Sequence, residues 1–196
     1  MFANRFTALV DACALAGALK RNLLLTLAEA EFFRVRWSAQ ILDETEAAIR
    51  KILTDKGAED ADARASRARG YMQSAFEEAM VESFEAMTAS CLGLPDPDDA
   101  HVVAAALKTQ AAIIVTDNLR HFPSDILSAL NLEARSTDAF IADTIALDPG
   151  RAVASIRVMR ERLRRPEKTA EMLLLDMEAS GLIETADVLR PHVQSL

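Results

Sequence analysis

The chain has 196 residues, 51% of them hydrophobic and 5% aromatic, with a formal net charge of −8, which is enough apolar material for one substantial core and a small helical appendage. The charge excludes a protein whose main work is to coat nucleic acid with positive charge, but not an enzyme that holds phosphates with a local basic rim. Two distant cysteines, Cys13 and Cys91, without a CxxC pair, and three histidines, His101, His121 and His192, without an HExxH pair, exclude a structural zinc site and the usual zinc hydrolase arrangement, so a bound metal is expected to prefer oxygen.

Helix formers dominate and β-branched residues come in short runs, as in a helix-rich α/β protein. The opening residues lack the pattern of a cleaved leader and no stretch reaches about 18 unbroken apolar residues, so the expected location is the cytoplasm, with no membrane partner. Phe6 to Val10 reads as a short buried strand ending at Asp11, and Ala12 to about Ala30 as helix. A second strand fits Phe32 to Trp37. Ser38 then caps a helix that carries Ile41, Leu42, Thr45, Ile49, Ile52 and Leu53 on its inner side and ends near Gly57. The charged stretch from Glu59 to Gly70 leads into further helix through Met80 and on to Met87.

Gly93 and Pro95 break the pattern, and Asp96-Pro97-Asp98-Asp99 opens a helix running to about Thr109. Ala111 to Val115 is a mostly β-branched run bounded by Thr116-Asp117-Asn118, which suits a central strand. Beyond Pro123 the chain reads as helix with Ile126, Leu127 and Leu130 on one side, then as a new helix from Thr137 to Ala146. Pro149-Gly150 is the expected linker. After it come an arginine-rich helix, a break at Pro166, and an amphipathic helix bearing Ala170, Leu173, Leu174 and Met177, closed by Gly181. Strands alternating with helices imply parallel pairing, right-handed crossovers and sites at the strand ends. The expected domains are residues 1–148 and a helical extension at 149–196.

Four acidic groups could carry chemistry, and each has a plain structural alternative. Asp11 follows a buried strand, where a charge needs a cation or donors; it could equally cap the next helix. Glu44 lies beside the apolar stripe of its helix and can reach inward, whereas Asp43 points almost opposite; a solvated flank is the alternative. Asp96, Pro97 and Asp99 fit an N-cap, first and third helical position. Asp99 also shares the face of Val102, Val103 and Ala106, which turns it toward the sheet, while Asp98 is turned away. Thr116, Asp117 and Asn118 could ligate or orient a hard cation, or form a simple turn. Two arginine islands, Arg64/Arg67/Arg69 and the denser Arg157/Arg160/Arg162/Arg164/Arg165 with Lys168, are either solvated helix faces paired with acids such as Glu161 and Glu167 or phosphate contacts.

Thr7 to Asp11, Trp37 to Glu44, Asp96 to Ala106 and Ile114 to Pro123 together resemble, in order, the acidic motifs of PIN-domain ribonucleases, with the VapC-like toxins of toxin–antitoxin pairs the nearest in flavour. The likeness covers roughly residues 3 to 145. It implies a three-layer α/β/α sandwich around a parallel sheet, with Asp11, Glu44 and Asp99 as the family's metal-binding acids and Asp96 and Asp117 as further carboxylates. Asn118 stands where many relatives carry aspartate, so a second metal should bind more weakly unless one of those two acids compensates. The segment from Arg120 to Pro123 also looks like the stretch that follows this motif in relatives.

The resemblance implies an Mg²⁺- or Mn²⁺-dependent endoribonuclease whose partners are an RNA substrate and a cognate antitoxin, with a homodimer among the assemblies it allows. Thr116, Arg120, Arg157, Arg160 and Arg164 are the candidate substrate contacts, the last three also candidates for a protein partner. Two rivals remain. One is a catalytically silent PIN-like module that binds protein or RNA. The other is an aspartyl phosphatase of the haloacid-dehalogenase kind, disfavoured because Cys13 stands where that family needs its second aspartate.

Overall fold

The computed structural model describes residues 6–91, 93–163 and 166–196. Those residues contain strands β1 (Thr7–Val10), β2 (Arg34–Ser38), β3 (Met80–Val81), β4 (Ile113–Val115) and β5 (Glu133–Arg135). Their α-helices are α1 (Ala12–Ala16), α2 (Ala18–Glu29), α3 (Ala39–Asp55), α4 (Ala61–Ala75), α5 (Ala100–Lys108), α6 (Ser124–Ala129), α7 (Thr137–Leu147), α8 (Pro149–Arg162), α9 (Ala170–Ala179) and α10 (Ile183–Leu189).

Ala8, Leu9 and Val10 are fully buried, as a central strand covered on both faces requires. All strand pairs are parallel, in the order β3-β2-β1-β4-β5. From β1 the chain first moves out to one side, through β2 and β3, and then returns to the other side as β4 and β5. The reversal lies between the carboxyl ends of β1 and β4, where open α/β sheets form a crevice. Val10 is in register with Val115, so the next residues, Asp11 and Thr116, emerge side by side. Asp11 N donates to Val115 O at 3.0 Å and Thr116 N to Arg135 O at 2.9 Å, which anchors both backbones.

Ser38 caps α3 as expected, its Oγ accepting from Ile41 N at 3.2 Å. Ile41, Leu42, Thr45 and Ile49 face inward, but Ile52 is 37% exposed: the stripe drifts off the packed face in the last turn. Four other expectations change. The helix expected from Ala12 to Ala30 breaks at Gly17 into α1 and α2. The helix expected through Met80 and Met87 stops at Ala75, and 3-10 turns flank β3 instead; pairing of Met80 and Val81 with Trp37 and Ser38 overrides local helix propensity. β5, short and polar, completes the second edge. Finally, Pro149-Gly150 is no linker: Asp148 Oδ1 accepts from Arg151 N at 3.1 Å and Pro149 takes the first position of α8, where proline's missing N–H costs nothing.

The residues pack as two compact units, one comprising the chain to Gly17 with Arg34–Arg135, the other Ala18–Phe33 with Ser136–Leu196. The first holds the sheet, α1 and α3–α6. In it Trp37, fully buried, meets the edge of Phe76 at 5.9 Å. The second holds α2 and α7–α10. There Phe33 packs edge-on to Phe140 at 4.9 Å, and the Arg151 guanidinium lies 4.1 Å from the centre of the Phe32 ring. The stripe of Leu173, Leu174 and Met177 is buried, with Gly181 at φ +76 closing the helix turn. No described helix is long and apolar enough to cross a membrane.

Candidate metal centre

Asp11 is 6% exposed, and its oxygens are spoken for by its surroundings. Oδ1 accepts from Ala12 N at 2.7 Å, and Oδ2 from the Thr116 hydroxyl at 2.8 Å and the Cys13 thiol at 3.1 Å. The capping reading of Asp11 is borne out, and its buried charge is met by donors of the chain's own. Thr116, fully buried, orients Asp11 and also accepts from Asn118 N at 3.1 Å. Cys13 is exposed as a residue, yet its sulfur lies against Asp11, Thr116 and the main-chain N–H of Asp117, which donates to it at 3.2 Å. Burial of that sulfur first, and the negative charge of Asp11 second, push the thiol up to about 12. At neutral pH the group is a thiol, so it adds no negative charge to the site.

Asp96 Oδ1 caps its own turn by accepting from Asp98 N at 3.0 Å. Asp99 stands at the start of α5 but makes no side-chain cap bond. Its Oδ2 instead meets His121 Nδ1 at 2.7 Å. Burial holds the Asp99 carboxyl above the usual carboxylate range; the His121 contact pulls it down, and the charges of Asp11 and Asp96 push it further up. Asp99 thus feels Asp11 across the carboxyl ends of the strands. Asp96, Asp99 and His121 offer ligand atoms that all lie within 4.8 Å of one another.

His121 Nδ1 is also 2.8 Å from Asn118 Nδ2. One ring nitrogen cannot serve both neighbours: protonated it donates to Asp99, unprotonated it accepts from Asn118. Asn118 Oδ1 accepts from Arg120 Nε at 3.2 Å, which keeps Arg120 at the rim, exposed. Asp117 is exposed as well.

Glu44 stands outside the Asp96/Asp99/His121 group. Its side chain is 43% exposed, and its Oε1 meets His101 Nε2 at 3.1 Å and Gln40 Nε2 at 3.2 Å. His101 follows Asp99 by two residues on α5, so the contact ties Glu44 to the helix that Asp99 begins. Asp43 points elsewhere, to Arg69 at 2.5 Å.

In the other unit, Arg157 Nε donates to Glu161 at 2.9 Å, and Arg160 donates to the carbonyls of Leu196 and Lys168 at 3.1 and 2.6 Å. Arg164 lies outside the described residues.

Sequence reasoning missed His121, His101 and Gln40. The expectation of an all-oxygen donor set changes with the first of these, because His121 brings a ring nitrogen to Asp96 and Asp99. The signal was present: His121 lies three residues past Asn118, one turn on, in a segment already singled out.

A family model described as PIN domain matches residues 7–120, more than half of the chain, and one described as VapC50 C-terminal domain matches residues 137–191. A curated relative, "Putative ribonuclease VapC50" of Mycobacterium tuberculosis, is 38% identical over 76 residues, 39% of this chain and 45% of the relative. The match thus spans less than half the relative's length. No solved structure matches the chain. With the sheet order, the strand-end acids and a family model spanning β1 to β4 in agreement, the chain belongs to the PIN domain family.

Proposed function

We propose that the chain is a metal-dependent endoribonuclease that hydrolyses RNA phosphodiester bonds, as the toxin of a toxin–antitoxin pair. The carrying observation is Asp99, an acid raised by burial and by the charges of Asp11 and Asp96 and left without a cap to make. Acids crowded together in a partly dry setting call for a cation, and the contest of Asp99 and Asn118 for His121 Nδ1 supports that reading. Asp11, Glu44 and Asp99 are the proposed metal ligands, with Asp96 and His121 beside Asp99. Mg²⁺ or Mn²⁺ bound there would supply Lewis acidity toward the phosphate and a lowered water pKa.

The chain's own residues do the rest. Thr116 and Cys13 hold Asp11 with donors, so the carboxylate keeps one orientation at the end of β1. Gln40 and His101 hold Glu44. Arg120, exposed and hydrogen-bonded to Asn118, would meet a phosphate. RNA as substrate rests on the likeness to the ribonuclease relative and on the VapC-like motifs. A functional division between residues 1–148 and the helices at 149–196, with Arg157, Arg160 and Arg164 contacting RNA or an antitoxin, belongs to the same proposal. Incubation of structured and unstructured RNA with Mg²⁺ or Mn²⁺ tests it: cleavage by the wild type, absent without metal and in Asp11→Asn, is expected, and metal-independent cleavage or none at all overturns it.

A further inference from the structure

Glu44 is the proposed ligand that burial does not hold in place. Its Oε1 accepts a hydrogen bond from Gln40 Nε2 at 3.2 Å and lies 3.1 Å from His101 Nε2 in a close polar contact, and among the described residues Oε2 accepts no hydrogen bond. With both neighbours on one oxygen, the carboxylate leaves the other open. Gln40 comes from the same helix one turn earlier and is exposed; His101 comes from α5 and is 9% exposed. The rigid half of the grip is therefore the histidine.

His101 makes that contact at a cost to itself. Its Nδ1 is buried without a hydrogen-bond partner. A neutral imidazole has one N–H, and the carboxylate contact places it on Nε2, leaving Nδ1 as an orphaned acceptor. A doubly protonated ring would bury an orphaned donor and a charge, which is worse. An apolar side chain at this buried position would carry no such penalty. Nor does the bond to a half-exposed carboxylate offset the orphan through stability, since water competes for it. What the histidine supplies is orientation, of the kind that residues behind a metal's ligands supply.

We propose that His101 is a positioning residue, whose Nε2–H holds Oε1 of Glu44 so that Oε2 is left to a divalent cation. The proposal rests on Glu44 being a metal ligand, as argued above, and is tested without RNA. Mn²⁺ binding is measured by calorimetry for the wild type, His101→Leu, His101→Gln, Glu44→Ala and the double variant Glu44→Ala/His101→Leu, alongside the melting temperature of each metal-free protein.

His101→Leu is expected to weaken Mn²⁺ binding by about 10-fold or more while melting no lower than the wild type, because the orphaned Nδ1 is gone. His101→Gln, whose amide nitrogen can replace Nε2–H, is expected to recover most of the affinity. The double variant is expected to bind no more weakly than Glu44→Ala alone. Wild-type affinity in a folded His101→Leu overturns the proposal, as does a loss that adds fully to that of Glu44→Ala. If His101→Leu fails to fold, His101→Gln decides by the same affinity, and a further loss there overturns it. A wild type that binds no Mn²⁺ overturns the positioning role together with the metal assignment, whereas one that binds Mn²⁺ and leaves RNA intact refutes only the nuclease reading.

Discussion

In the unit built from α2 and α7–α10, Asp138 gives both carboxylate oxygens to donors of its own chain. Oδ1 accepts from Thr185 N and Thr185 Oγ1, each at 2.8 Å, and Oδ2 from Glu184 N at 2.9 Å, so the side chain caps the first turn of α10 from a distance. In the sheet unit, Asp99 also stands at a helix start, yet it caps nothing, meets one imidazole, and is pushed up by burial and neighbouring acids. The two aspartates look alike in a sequence. The fold satisfies both oxygens of Asp138 and leaves those of Asp99 wanting, and that separates these two acids.

The largest expected contrast between them is catalytic. Metal-assisted stabilisation of several kcal/mol corresponds to roughly 10³-fold in rate, so Asp99→Asn should lose cleavage of RNA by about that factor, while Asp138→Ala should stay within a few-fold when assayed folded. A comparable loss in both would erase the distinction.

The crowding of negative charge should also be readable in Cys13. With its thiol pushed up to about 12 from an ordinary 9.0, the reactive thiolate is depleted by roughly 10³-fold, and iodoacetamide should label the residue slowly despite its exposure. Asp11→Asn removes the second-largest cause and should speed labelling. Rapid labelling of the wild type would show that Asp11 does not burden its neighbour.

Stability should show the opposite pattern to catalysis. Removing the three bonds to Asp138 with Asp138→Ala should cost about 1–2 kcal/mol in urea unfolding. The smallest effect is a pH dependence at Asp99. Because its folded value lies above the ordinary 3.8, the stability this carboxyl contributes is present below that pH and is lost as pH rises through the raised value. Metal-free wild type should therefore lose stability relative to Asp99→Asn between acidic and neutral pH. A difference that is flat with pH would contradict the assigned direction.

How far such distinctions can be read from sequence differs by element. β1 and β4 are legible because each is a mostly apolar, buried run, and β2 because buried Val35 and Trp37 alternate with Arg34 and Arg36, while Ser38, Asp96 and Gly181 mark helix ends by local chemistry. β3 is not legible: two residues in a helix-forming stretch become strand only through pairing with Trp37 and Ser38, which is non-local. Pro149-Gly150 misleads because the same residues serve a linker and a helix start, and Asp148 decides between them. At the candidate site, periodicity turns Asp99 toward the sheet and sets Glu44 beside its helix's apolar stripe; Asp99 is part-buried against His121, whereas Glu44 is exposed and reaches α5 at His101, and Asp43 pairs with Arg69. Periodicity is silent on His101, because α5 buries residues from His101 to Ala106 without a polar break. Which acid a histidine will meet is set by how helices pack, and no single helix records that.

The central claim, that the acids around Asp99 hold a divalent cation while Asp138 does not, is tested most directly by titrating Mn²⁺ into the wild type, Asp99→Asn and Asp138→Ala at a temperature where all three are folded. Saturable binding by the wild type and Asp138→Ala, lost in Asp99→Asn, is the predicted result; binding that survives unchanged in Asp99→Asn would contradict the account.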